Sequence, residues 1–135
     1  MRDQFKITYN IGTPAPHSLP PNSDPAQMLD AVRVMTASIA RAASDLCGGL
    51  FVSGGTGYWV ERENAAHAEN FDGVLTQEVA TVFEVTTEPH KLTRVLSEMR
   101  RAIRHAVDEA KVLDVEWVHV TIQPIQGDHF NVKEV

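Results

Sequence analysis

Apolar and polar residues alternate near the start of the chain: Phe5, Ile7, Tyr9 and Ile11 against Lys6, Thr8 and Asn10. A period of two predicts a half-buried strand, with Gly12 and Pro14 expected to stop it. Residues 13–23 hold Pro14, Pro16, Pro20 and Pro21 and predict a stiff, extended loop. The period then changes. Met28, Val32, Met35, Ile39, Ala42 and Leu46 recur at spacings of 4, 3, 4, 3 and 4, one apolar stripe of a long helix. Asp24 supplies an N-cap acceptor, Pro25 suits the first helical position, and Gly48-Gly49 ends the run.

Leu50-Phe51-Val52 leads into Gly54-Gly55-Thr56-Gly57-Tyr58-Trp59, which reads as a second strand lightened by glycine and expected to bulge beside Trp59. The segment 61–76 carries Glu61, Glu63, Glu69 and Asp72 with few apolar residues, and is expected to form a long acidic flap. Residues 76–87 alternate again: Val79, Thr81, Phe83 and Val85 on one side, Glu78, Ala80, Val82 and Glu84 on the other. Thr87-Glu88-Pro89 opens a second helix with Leu92, Leu96, Met99, Ile103, Ala106, Val107 and Ala110 as its buried face. A last strand, 115–123, has Val118, Val120 and Ile122 on one side and Trp117, His119 and Thr121 on the other, and Pro124 is expected to end it. The order β-α-β-β-α-β predicts an α+β, ferredoxin-like domain over 1–124, a four-stranded antiparallel sheet with two long helices on one face, followed by a polar tail, 125–135.

With 135 residues the chain is long enough for one real core. Its net charge of −6 argues against nucleic acid as a partner and against membrane-surface binding, since both need a basic field. A single cysteine, Cys47, excludes a disulfide framework and points to a reducing compartment. No apolar run reaches the roughly 20 residues of a membrane span. Met1-Arg2-Asp3-Gln4 leads straight into the first strand, so no signal peptide is expected and a cytoplasmic location is the default.

The glycine stretch lacks the lysine and hydroxyl residue of a P-loop and the following helix of a dinucleotide fingerprint. Gly55, Gly57 and Trp59 are instead candidates for a ligand-facing strand with a stacking ring. The six histidines are dispersed, none at metal-binding spacing, so no metal or other cofactor is expected. Cys47 sits at the carbonyl end of the first helix, which raises a thiol pKa and disfavours a nucleophilic role. Glu78 is the carboxylate best placed for acid–base work, close to the flap, and His119 is the histidine that would accompany it. Trp117 and His119 fall on the sheet face the helices leave open, where an aromatic marks a ligand platform or a contact with another subunit. Arg94 and Arg101 are expected either to form a solvated helix face with Glu98 or to clamp an anionic ligand.

Gly48-Gly49, Gly55-Thr56-Gly57-Tyr58-Trp59 and Gly73-Val74-Leu75-Thr76-Gln77-Glu78 together resemble a pattern in small, largely uncharacterised bacterial and phage-encoded proteins. That pattern runs GG, then G-x-G-x-W, then a turn glycine and a strand beginning near a glutamate. The resemblance covers about the middle quarter of the chain and implies a ferredoxin-like fold and a phage or mobile-element origin. It implies no activity, and the long acidic segment here departs from the shorter loop of the pattern.

The residues leave three functional classes open. The favoured expectation is a non-catalytic binder of a small anionic or nucleotide-like ligand, a sensor or sponge, at a subunit junction of a homo-oligomer built through the open sheet face. Its site would comprise Gly55, Gly57, Trp59, Glu78, Arg94, Arg101, Trp117 and His119. The alternatives are a small enzyme using Glu78 and a histidine, and an oligomeric interaction protein without ligand.

Overall fold

The computed structural model describes residues 1–14, 22–60 and 75–134. Four strands, β1 (Arg2–Pro14), β2 (Phe51–Val60), β3 (Leu75–Thr87) and β4 (Val118–Gly127), form one antiparallel sheet in the order β2-β3-β1-β4. Helix α1 (Pro25–Cys47) follows β1 and helix α2 (Leu92–Glu109) follows β3. The fold is the expected ferredoxin-like α+β arrangement. The proline-rich stretch 15–21 and the acidic stretch 61–74, the bulk of the expected flap, lie outside the described residues.

Local chemistry sets the helix ends. The Asp24 carboxylate accepts from the backbone N–H groups of Ala26 (3.0 Å) and Gln27 (3.4 Å), with Pro25 at the first turn. Gly48 takes φ 82° and donates its N–H to the Ser44 carbonyl at 2.9 Å, a left-handed cap that other residues adopt at a cost. A 3₁₀ turn, Pro89–Lys91, precedes α2, and a second, Lys111–Leu113, follows it and buries Leu113.

One face of the sheet carries the core. Ile7, Tyr9, Ile11, Phe83 and Val85 point to the helices and meet Met35, Ile39 and Ala43 from α1 and Val95, Met99, Ile103 and Ala106 from α2. The alternation of β1 and β3 is as expected, and Val95 joins the α2 stripe. Ala43 rather than Ala42 is the fully buried alanine of α1.

The structure corrects three strand expectations. β1 is not stopped by Gly12; the glycine pairs with Ala80 and the strand continues to Pro14. β4 starts at Val118 and passes through Pro124, which is the partner of Phe5, to Gly127, so residues 125–127 belong to the sheet rather than to the tail. An edge strand tolerates a proline because its missing N–H need not interrupt a ladder on both sides. β2 has no bulge: Phe51 to Val60 pair one for one with Glu84 to Leu75. Its glycines are therefore not used to kink the strand.

Candidate functional site

Among the described residues no helix lies over the second face of the sheet. On β3 it is formed by Glu78, Ala80, Val82 and Glu84, because their neighbours Thr81, Phe83 and Val85 face the core. The register extends the face across the sheet. Gly55 of β2 pairs with Ala80, and Ala80 pairs with Gly12 of β1. These three positions share a single Cβ atom between them, so they form the floor of a shallow trough about 10 Å across, two strand spacings, in which Ala80 is buried and Gly12 lies under the Glu78 carboxylate.

Glu78 closes one side of this trough. A Cβ built on Gly12 would lie 2.8 Å from the Glu78 Cδ and overlap its carboxylate oxygen. The carboxylate thus lies directly over Gly12, and this contact, not a turn, is why position 12 is glycine. Gly57 is the β2 partner of Glu78. On the other side of the trough Asn10 pairs with Val82 on β3 and with His119 on β4. The Asn10 Oδ1 is buried and has no hydrogen-bond partner among the described residues. A buried acceptor left without a donor is unfavourable by about 1–3 kcal/mol. Trp117 immediately precedes β4, next to the Ile11–Val118 pair, and remains 64 % exposed.

Of the residues singled out from the sequence, the fold brings Gly55, Gly57, Glu78, Trp117 and His119 to one end of the open face. Trp59 is the partner of Thr76 in the β2–β3 ladder, and its side chain lies outside what the structure describes. Arg94 and Arg101 are not part of this assembly. They lie on α2, which covers the opposite face, and line an open groove between the helices with Asp45, Leu46, Glu98 and His105. Arg101 is 3.5 Å from Glu98, and His105 is 2.8 Å from Glu109. The sheet and the helix layer stand between these arginines and the glycine strand, and the bulk of the flap against which they were expected to clamp a ligand lies outside the described residues. Sequence reading missed Asn10, Gly12 and Ala80. Asn10 looked like one more polar residue of an alternating strand, and Gly12 beside Pro14 looked like a terminator.

Two core groups are electrostatically perturbed. Burial, followed by the nearby Cys47, pushes the Tyr9 phenol up to about 12, and its hydroxyl has no hydrogen-bond partner among the described residues. Burial also raises the Cys47 thiol, with Lys91 pulling the other way, so this cysteine is held as a thiol. Among the described residues no three His, Cys, Asp or Glu side chains gather as a metal site, and no helix is long and apolar enough to cross a membrane.

No family model matches the chain, and no curated protein does either. Solved structures do. A phage SAM lyase in its apo state is 11 % identical with a TM-score of 0.47, over 94 % of this chain and 92 % of that one. The phage SAM lyase in complex with S-methyl-5′-thioadenosine is 12 % identical with a TM-score of 0.47, over 95 % and 93 %. A Bacillus cereus protein related to NIF3 is 14 % identical with a TM-score of 0.46, over 94 % of this chain but 27 % of that one. Likeness at this level reaches no further than the order and packing of the elements.

Proposed function

We propose that the protein is a non-catalytic binder of a small, donor-rich organic molecule of the nucleoside or nucleotide class, held in the trough on the open sheet face. One observation carries the reading: the Glu78 carboxylate lies over the bare backbone of Gly12 and, one open-face residue along β1, the buried Asn10 Oδ1 has no partner among the described residues. Both groups accept hydrogen bonds, so the complementary ligand edge carries N–H groups, as the amino and ring-nitrogen edges of a nucleobase do. A trough about 10 Å across admits a flat ring laid on backbone. Trp117 offers an aromatic surface at its end. The anionic half of the sequence expectation loses its support here, because the arginines that would neutralise a phosphate line a different groove.

The test is native mass spectrometry of the protein purified from its host, followed by thermal-shift titration with a panel of nucleosides and nucleotides. A bound or stabilising molecule is expected in the wild type and expected to be lost in Glu78→Gln and in Gly12→Val. No co-purifying mass and no shift with any member of the panel would overturn the reading.

A second reading has a specific observation in its favour. Glu78 reaches over Gly12, the next open-face residue of β1 after the His119 partner Asn10, so a carboxylate and an imidazole share one end of the sheet. That is the pairing an acid–base enzyme would use. The two readings separate on one variant: Glu78→Gln loses the ligand if the carboxylate only binds, and keeps the ligand but stops turnover if it transfers a proton.

A further inference from the structure

The two edges of the sheet are unlike. β4 carries Pro124, which removes a donor from its length. β2 carries no such guard. Its sequence, Phe-Val-Ser-Gly-Gly-Thr-Gly-Tyr-Trp-Val, has no charged residue and no proline, and its pairing with β3 is unbroken by any bulge. Phe51 is 78 % exposed, Val52 45 % and Tyr58 59 %. Among the described residues only β3 pairs with β2, so this long, uncharged edge presents a row of backbone donors and acceptors, and folded proteins ordinarily blunt such an edge with lysine, proline or a bulge.

The glycines of β2 add an independent observation. Neither Gly54 nor Gly55 adopts a positive φ, so the backbone does not require glycine at either position. A Cβ built on Gly54 would come no nearer than 3.8 Å to the Ala80 carbonyl, and one built on Gly55 would meet nothing within 4 Å. Glycine inside a strand is unfavourable by roughly 0.5–1 kcal/mol against alanine. No contact within the described chain makes use of the space that these two residues leave.

We infer that β2 pairs antiparallel with β2 of a second copy across a two-fold axis, joining the two sheets into one of eight strands. Charge selects this occupant. Each copy carries a net charge of −6, so two copies repel over most approaches, whereas the uncharged β2 meets its own image without placing any like charges opposite each other. An isologous contact of this kind closes on itself, and the edges left outermost are the two β4 strands with Pro124, which discourages further growth. The open face is the poorer surface for a second copy, because between Phe51 and Trp117 at its two margins it is built from the Lys6–Glu84 ion pair, Asn10 and the facing pair Thr8 and Thr121. This inference does not rest on the ligand reading, though it brings two troughs into one continuous face.

The test is the mass of the full chain in solution, by sedimentation and native mass spectrometry, for the wild type, Gly54→Lys and Thr121→Lys. The expected result is a wild-type dimer, a Gly54→Lys chain with unchanged circular dichroism whose association is weakened by roughly a hundredfold or more, since a lysine would enter the pairing edge of each copy, and a Thr121→Lys chain that stays dimeric. A monomeric wild type, a ring of three or more, a filament, or a dimer undone by Thr121→Lys and not by Gly54→Lys would each overturn the proposal. Should Gly54→Lys fail to fold, hydrogen exchange on the wild type decides it: outward amides of β2 protected like those of β3 support pairing, and exchange at the rate of a free edge overturns it.

Discussion

The two faces of one sheet solve different problems with the same alternation. On the helix-covered face Ile7, Ile11 and Phe83 are fully buried against Met35, Ile39 and Met99, and the packing alone explains each residue. On the open face the residues one step along the same strands are Lys6, Asn10, Gly12, Glu78, Ala80 and Glu84, and packing explains few of them. Glu78 lies on Gly12, Asn10 buries an unsatisfied oxygen, and Lys6 meets Glu84 at 3.6 Å with both side chains about one-third exposed. Stability is concentrated on one side of the backbone. The features that packing leaves unexplained are concentrated on the other, about one side-chain length away.

Substitutions on the two faces are the direct way to break that contrast. The largest effect is expected from Phe83→Ala, which removes a fully buried ring from the middle of the core. Urea unfolding is expected to show a loss of about 3–5 kcal/mol. A loss under 1 kcal/mol would mean that the covered face does not hold the fold.

Next in size is the pH dependence set by Tyr9. Its phenol titrates at about 12 in the folded protein against 10.0 in the unfolded chain, so between these values the native state keeps a proton that the unfolded state has lost. Stability is therefore full below pH 10 and falls as pH rises through that window, by about 2–3 kcal/mol in all. Unfolding followed from pH 8 to pH 12 should show the fall in the wild type and a flatter curve in Tyr9→Phe. At neutral pH that variant is expected within about 1 kcal/mol of the wild type, or above it, since the buried hydroxyl has no partner to lose among the described residues.

Asp24→Ala should be felt only on the covered side. Loss of the two bonds that cap α1 is expected to lower stability by about 1 kcal/mol while ligand binding is unchanged.

The open face is expected to answer in the opposite sense. In Gly12→Ala the added methyl meets only the mobile end of the Glu78 side chain, so stability should stay within about 1 kcal/mol of the wild type while the carboxylate is displaced and ligand-induced stabilisation disappears. Glu84→Gln is expected to do least, about 0.5 kcal/mol or below, because its ion pair with Lys6 is partly solvated. A Gly12→Ala chain that still bound its ligand with wild-type affinity would separate the trough from function.

Much of the architecture was legible because burial imposes periods. The period of two in β1 and β3, and of three to four in α1 and α2, follows from which side of each element meets the other layer, and that is written residue by residue. The Asp24-Pro25 start and the Gly48 stop are equally local, since a cap is made by neighbours in sequence. Readings of single residues as punctuation fared worse. Gly12 and Pro124 read as strand ends, and the β2 glycines as a bulge, because a glycine or proline in isolation has several uses. Which use applies depends on the strand that lies beside it.

The candidate site shows the same division. The sequence by itself pointed to Gly55, Gly57, Trp59, Glu78, Trp117 and His119, residue types that stand out in their own segments. It grouped them without showing which of them meet, and it placed Arg94 and Arg101 in the same group. Only the β2-β3-β1-β4 order and its registers bring Gly55, Ala80 and Gly12 into one row, set Glu78 over that row and put Asn10 beside His119. The physical reason is that strand pairing links these residues, 25 to more than a hundred positions apart, through backbone hydrogen bonds that carry almost no side-chain signature. Periodicity determined which face each residue would take; the register decided which residues would meet there.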